Sequence, residues 1–163
     1  MTKKEREKEV ELLLKRFRRI QDEIAVVEED AEAMAFSQGS GEPVQSSTIS
    51  DKTMRGALAL LGVEQKRRWI ECINDALDWL DEEQPDLRKL IWGHYGMKYR
   101  RGYKRKYATA FTVSYCTSYH ISYQEYDRRR HRGIEEITTF AVGRGLLKLE
   151  RLNSENERKK TAI

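Results

Sequence analysis

Apolar side chains recur alternately three and four positions apart along the first 35 residues. This spacing is the a/d pattern of a coiled coil, and glutamate, lysine and arginine fill most of the positions between. It predicts an amphipathic helix over residues 1–36, which either folds back onto its own domain or pairs with a second copy as a homodimer. The apolar positions are Val10, Leu13, Phe17, Ile20, Ile24, Val27, Ala31 and Met34.

A polar segment follows this helix and changes the character of the chain. Residues 37–50 are rich in serine, glycine and glutamine and carry a single charge, a composition typical of a flexible linker. The linker separates the first helix from a helical domain over residues 51–147, and residues 148–163 form a charged tail.

Apolar residues at helical spacing return after the linker. A first stripe over residues 54–61 predicts a short helix that Gly62 ends, and a second stripe over residues 69–80 predicts another helix. Pro85 suits the first position of a third helix, which we expect to stop at Gly96. Its inward side chains are Leu87, Leu90, Ile91 and Tyr95.

The next two segments give less regular patterns. Residues 97–107 mix basic and aromatic side chains, and we expect an exposed loop there because the segment is too charged to be buried. Residues 108–119 contain threonine, valine and tyrosine, which favour a strand, whereas the helical neighbours favour a helix over 108–118. A lone β-hairpin is the alternative.

Residues 122–125, Ser-Tyr-Gln-Glu, form a capping box. The hydroxyl of Ser122 is expected to accept from the N–H of Glu125, and the carboxylate of Glu125 to accept from the N–H of Ser122. The helix that begins here is predicted to end at Gly143 or Gly145, although Gly133 within it costs about 1 kcal/mol relative to alanine. Its core-facing side chains are Tyr126, Ile134, Ile137 and Ala141.

Charge is unevenly distributed along the chain. The net charge is +4, yet residues 88–132 carry +10 and the remainder −6. Such asymmetry indicates a polyanionic partner, of which nucleic acid is the commonest. The alternative is that the basic run over residues 128–132 is an ordinary solvated helix face.

Together these features predict an all-α protein that ends in a helix-turn-helix over about residues 108–142. The second helix of such a motif enters the major groove with its N-terminal end first. Base contacts are expected from Tyr123, Gln124, Asp127 and Arg128. Phosphate contacts are expected from Lys104, Arg105, Lys106, Ser122, Arg129 and Arg132.

Three stretches also carry a resemblance: residues 87–96 (LRKLIWGHYG), 120–130 (HISYQEYDRRR) and 145–147 (GLL). Together they resemble the phage-encoded late-gene transcription regulators of the RinA and ArpU type, which are similar to the promoter-reading region of sigma factors. The resemblance implies an activator of phage or prophage packaging or lysis genes. It also implies action at a promoter, contact with RNA polymerase, and residence in the cytoplasm of the bacterial host.

Other function classes are less consistent with the sequence. A small terminase subunit, which recognises viral DNA for packaging, also combines a helix-turn-helix with a coiled coil but forms a ring. Catalytic motifs are missing, and Cys116 and His120 form a single loose ligand pair, so we expect no enzyme, metal or cofactor. Cys72 and Cys116 lie far apart and indicate reduced thiols inside a cell. No apolar run is long enough to span a membrane.

Overall fold

The structure, a computed structural model, describes residues 1–38, 51–97 and 102–147, and every regular element in them is a helix. The predicted all-α class is therefore confirmed, and residues 108–119 are helical. Most of the linker and the whole charged tail lie outside the described residues. The helices are α1 (Lys3–Gln38), α2 (Asp51–Glu83), α3 (Pro85–His94), α4 (Arg105–Tyr119) and α5 (Tyr123–Gly143).

The first half of α1 packs on α2 and α5 and belongs to the same core as the rest of the protein. Val10 and Phe17 are buried as the heptad pattern predicts, but Leu14 replaces Leu13 as the fully buried position between them. Of the two predicted outcomes for this helix, packing onto its own domain is the one seen here. At Ile24, Val27 and Ala31 the apolar stripe is only partly covered, and pairing with a second copy stays a prediction.

α2 is one continuous helix, so the prediction that Gly62 ends a short helix is wrong. Gly62 lies on an open side of α2, where an added Cβ would meet no atom within 4 Å. A glycine in a helix interior costs only about 1 kcal/mol. Val63, one residue later, is buried, and the stripe over residues 69–80 packs into the core as predicted. That burial outweighs the local cost at Gly62, and the helix continues.

α3 follows α2 after a single residue, Gln84, and begins at Pro85 as predicted. Proline fits there because its missing N–H would have no helical partner in the first turn. α3 ends at His94, and Gly96 after it adopts a left-handed backbone (φ +63°). The four side chains predicted to face inward are all buried, and they carry α3 against α2, α4 and α5: Leu87, Leu90, Ile91 and Tyr95.

The segment after α3 is less exposed than predicted. Met97 is fully buried, Gly102 is buried and Tyr103 is half-buried, and residues 98–101 between them lie outside the described residues. Tyr103 packs beside Tyr95 with 6.1 Å between ring centroids. Met97 and Tyr103 therefore contribute to the core, which the high charge of the segment concealed, whereas Tyr107 is exposed. α4 begins at Arg105, three residues earlier than predicted.

Gly133 lets α3 and α5 approach closely. A Cβ on Gly133 would lie 2.6 Å from Cδ1 of Ile91 and 3.5 Å from Cγ of Leu87. We expect Gly133→Ala to destabilise the protein by about 2 kcal/mol, because overpacking outweighs the gain in helix propensity. Urea unfolding measures the change. Gly62→Ala is the matched control, because open space surrounds Gly62, and it should stabilise the protein; equal effects of the two variants would contradict the packing role of Gly133.

Candidate nucleic-acid interface

α4 and α5 are joined by a three-residue turn, His120–Ser122. His120 adopts a left-handed backbone (φ 50°, ψ 43°), where histidine is enriched among non-glycine residues. The N–H of Ile121 donates to the carbonyl of Cys116 at 3.1 Å, and that of His120 to Thr117 at 3.4 Å. These two bonds form a Schellman motif, which ends α4. The chain therefore passes from α4 to α5 over a turn of the length found in helix-turn-helix motifs.

Half of the predicted capping box forms at the start of α5. The N–H of Glu125 donates to Oγ of Ser122 at 3.1 Å, which satisfies one free donor of the first turn. The carboxylate of Glu125 does not return to the N–H of Ser122. It accepts from Nε of Arg129 at 2.9 Å and lies 3.1 Å from Nη1 of Arg128. The hydrogen bond from Arg129 lowers the pKa of Glu125.

α5 turns a polar face to solvent along its first half. Tyr126, Ile134 and Ile137 point into the core as predicted, so residues on the opposite side of the helix are exposed. Arg128 is the most prominent of them, with 80% of its side chain accessible. Tyr123, at the first position of α5, lies on the same side as Tyr126 but is also largely exposed. The remaining exposed side chains of this face are Gln124, His131, Arg132 and Glu135.

Arg130 departs from the exposed basic run. Only 14% of its side chain is accessible, and its Nη1 donates to Glu11 at 3.1 Å and to the hydroxyl of Tyr95 at 3.0 Å. Its Nη2 donates to Asp127 at 2.9 Å. The position four residues after Tyr126 and four before Ile134 already places Arg130 on the core-facing side of α5. Arg130 therefore ties α5 to α1 and α3 and contributes no charge to the exposed face.

Asp127, a predicted base-contacting residue, is engaged within the protein. Its carboxylate binds Arg130 and also lies 3.4 Å from Nε2 of His131. Nearly half of its side chain is accessible, so one edge of the carboxylate faces solvent at the start of α5. The carboxylate of Asp127 therefore mainly compensates the charge of Arg130, and only its solvent-facing edge belongs to the exposed face.

The predicted phosphate-contacting residues fall on two sides of α5. Arg129 and Arg132, with Arg128, line a groove of about 450 Å³ that the start of α3 closes on its other side. Glu83, at the end of α2, also borders this groove. The other predicted contacts, at the start of α4 and at the α5 cap, are exposed: Lys104, Arg105, Lys106 and Ser122.

A second groove, of about 300 Å³, lies on the opposite side of α5. Arg105 and Thr109 of α4 border it, facing Tyr123 and Asp127 of α5. The Nζ of Lys106 stands 5.1 Å from the ring centroid of Tyr107, next to this groove along α4. The structure thus brings the predicted base-contacting residues to the strip of α5 between two grooves, each with basic side chains on its border.

Sequence reasoning did not identify the polar network beneath this second groove. Nδ1 of His94 is 2.7 Å from the hydroxyl of Tyr126, which joins α3 to α5. Burial lowers the pKa of His94 to about 4, with a further lowering from Arg130. Burial also raises the pKa of Tyr126 to about 12. Both groups are therefore neutral near pH 7, and together with Arg130 they fix the orientation of α5.

Two further observations bear on other kinds of chemistry. Within the part of the chain that the structure describes, no group of three or more histidine, cysteine, aspartate and glutamate side chains is placed to hold a metal ion. Cys72 is buried and Cys116 is half-buried, and both are free thiols. Within residues 1–38, 51–97 and 102–147, no helix combines the length and apolar character needed to cross a lipid bilayer.

Comparison with known proteins adds no relatives. No family model, no curated protein and no solved structure matches this chain.

Proposed function

We propose that this protein is a sequence-specific regulator that binds double-stranded DNA through α4 and α5. One observation carries the proposal: a short α4–α5 turn leads into a capped helix whose first two turns expose Gln124 and Arg128, between grooves that basic side chains border. A helix N-terminus attracts phosphate, and the major groove admits one α-helix. The exposed start of α5, with basic side chains on either side of it, therefore suits the shape and charge of duplex DNA.

In the proposed complex, the start of α5 lies in the major groove. Arg128 is long enough and free enough to donate to O6 and N7 of guanine, and Gln124 pairs with N6 and N7 of adenine. Tyr123 and the exposed edge of Asp127 border the same base pairs, and Asp127 suits the N4 donor of cytosine. The groups that hold the two phosphate backbones are Lys104, Arg105, Lys106, Ser122, Arg129 and Arg132.

The biological role that we propose follows the sequence resemblance. The protein acts as an activator of a phage or prophage late operon in the cytoplasm of the bacterial host, bound at a promoter and in contact with RNA polymerase. The partly covered apolar residues Ile24, Val27 and Ala31 of α1 support pairing with a second copy. A dimer of DNA-binding domains would then read two half-sites related by twofold symmetry.

Selection from a pool of random duplexes tests this function. The full-length protein should enrich one sequence family, and a symmetric family would indicate a dimer. A pool that shows no enrichment would contradict sequence-specific binding. The mass of the protein in solution separates the regulator from the packaging alternative: a monomer or dimer supports the regulator, whereas a ring of eight or more copies supports a small terminase subunit.

Arg128→Ala should relax sequence preference without unfolding the protein. A good bidentate contact to guanine contributes roughly 1–3 kcal/mol of discrimination, so one position of the enriched sequence should lose about tenfold in selectivity. Lys106→Ala is the matched variant, and it should weaken binding to every duplex alike because a phosphate contact carries no sequence information. Fluorescence anisotropy with the enriched duplex and its single-base variants measures both effects. If Lys106→Ala loses sequence selectivity and Arg128→Ala does not, the assignment of Arg128 to bases and Lys106 to phosphates is contradicted.

A further inference from the structure

Two apolar side chains stand exposed beside the start of α5. Val113 of α4 is 63% accessible and Tyr123 of α5 is 71% accessible. Both line the 300 Å³ groove between α4 and the first turns of α5. The groove therefore has an apolar border close to the residues that we place against the DNA bases.

Neither side chain has a role in the core that accounts for its type. Thr112, the residue before Val113, is buried and bonds to the carbonyl of Ala108, so Val113 points away from the packed side of α4. The ring of Tyr123 stacks on that of Tyr126, with 6.3 Å between centroids and an interplanar angle of 27°. Stacking on a buried ring holds Tyr123 in place while most of its surface faces solvent.

The charges around this apolar border favour DNA over an apolar protein segment. The same groove is lined by Arg105 and by two acids, Glu11 and Asp127, both of which are paired with Arg130 inside the protein. Lys104 and Lys106 flank Arg105 in sequence and are exposed, so the charge that the border offers to a partner is basic. The groove also opens beside the N-terminus of α5, where the helix dipole favours a negatively charged partner. A polyanion that also presents small apolar groups would suit both the basic residues around the groove and the exposed side chains of Val113 and Tyr123.

Duplex DNA presents one such group in the major groove, the C5 methyl of thymine. We infer that Val113 and Tyr123 form a contact surface for thymine methyl groups and so select thymine at defined positions of the target. The inference rests on the proposed function. It adds two specificity-determining side chains of a different chemistry from the hydrogen bonds of Gln124 and Arg128.

Replacement of thymine by deoxyuridine tests the inference directly, because it removes the methyl group and leaves base pairing unchanged. In the duplex enriched by selection, each thymine is replaced in turn and affinity is measured by anisotropy with the full-length protein. At one or two positions we expect affinity to fall about fourfold, which corresponds to the ~0.8 kcal/mol of one buried methylene-sized group. Other positions should be unaffected.

The variants Val113→Ala and Tyr123→Ala should lose this dependence on the methyl group. Each should bind the thymine and deoxyuridine duplexes equally at its own position, with an unchanged thermal unfolding midpoint because both side chains are exposed. Leu61→Ala is the control, since Leu61 of α2 is similarly exposed but lines neither groove, and this variant should keep the full fourfold effect.

The outcomes separate the two proposals. A selected duplex whose affinity is unchanged by deoxyuridine at every position would overturn the methyl contact and leave sequence-specific binding intact. A fourfold effect that persists in both variants would assign the methyl contact to other side chains and would also overturn the inference. A pool without an enriched duplex would overturn the proposed function and this inference with it.

Discussion

Arg130→Met is expected to destabilise the protein by about 3 kcal/mol or more. The guanidinium of Arg130 is held by Glu11, Tyr95 and Asp127, and it adds a largely buried ion pair to the apolar contacts between α5 and α1. Removal of one partner from a largely buried ion pair typically costs 3–5 kcal/mol, because the remaining charge is left uncompensated. Here Glu11 keeps Lys15, 3.0 Å away, which places the expected loss at the lower end. Chemical denaturation at pH 7 measures it.

Arg128→Met is the matched control on the same helix. Arg128 is exposed and pairs only at the surface with Glu125, so its replacement should change the free energy of unfolding by less than about 0.5 kcal/mol. At temperatures where both variants are folded, the effects on DNA binding should be reversed: Arg128→Met should weaken binding more than Arg130→Met. Equal stability of the Arg130 and Arg128 variants would show that the α1–α5 connection does not depend on this guanidinium.

Stability should fall in mild acid because His94 is buried as a neutral ring. The unfolded chain binds a proton at His94 near pH 6.5, whereas in the folded protein burial, assisted by Arg130, lowers that pKa to about 4. The contribution of neutral His94 to the free energy of unfolding is therefore complete above about pH 6.5. It is lost as the pH falls through 6.5 towards 4, because the unfolded chain then takes up a proton that the folded protein does not. The full size of this contribution is about 3 kcal/mol, of which about 2 kcal/mol is lost between pH 7 and pH 4.5.

His94→Gln isolates this effect from the titration of nearby acids. Glutamine retains a polar partner for the hydroxyl of Tyr126, which is 2.7 Å from His94, but it does not titrate. The acids that face His94, Glu11 and Asp127, are present in both proteins, so their contribution cancels in the comparison. The wild type should lose about 2 kcal/mol more than the variant between pH 7 and pH 4.5. Parallel loss in the two proteins would contradict a buried neutral His94.

The sequence predicted those parts of the fold that neighbouring residues determine. Pro85 begins α3 and Ser122 caps α5 because each effect acts within one helical turn. The predicted end of a short helix at Gly62 was wrong, because α2 continues through it and the burial of side chains further along outweighs the local cost of glycine. Met97 was placed in an exposed loop because the charge of its segment hid one side chain that the core of the folded chain covers.

The same distinction applies to the candidate interface. Exposure of Gln124 and Arg128 followed from helical spacing, since the opposite face of α5 is apolar. The inward turn of Arg130 did not, because its partner Glu11 lies 119 positions earlier in the chain. Its spacing from Tyr126 indicated a core-facing position, but the charge of an arginine favoured an exposed position instead. The His94–Tyr126 contact likewise joins α3 to α5 and carries no local sequence pattern.

The salt dependence of binding tests most directly whether the basic side chains on both sides of α5 bind duplex DNA. The measurement is the affinity of the full-length protein for its enriched duplex and for a scrambled duplex, between about 50 and about 200 mM salt. Five basic side chains are assigned to phosphates, Lys104, Arg105, Lys106, Arg129 and Arg132. They predict a slope of log K against log salt of about −4.5, and at least about a thousandfold preference for the enriched sequence. A slope near zero, or equal affinity for the scrambled duplex, would contradict the account.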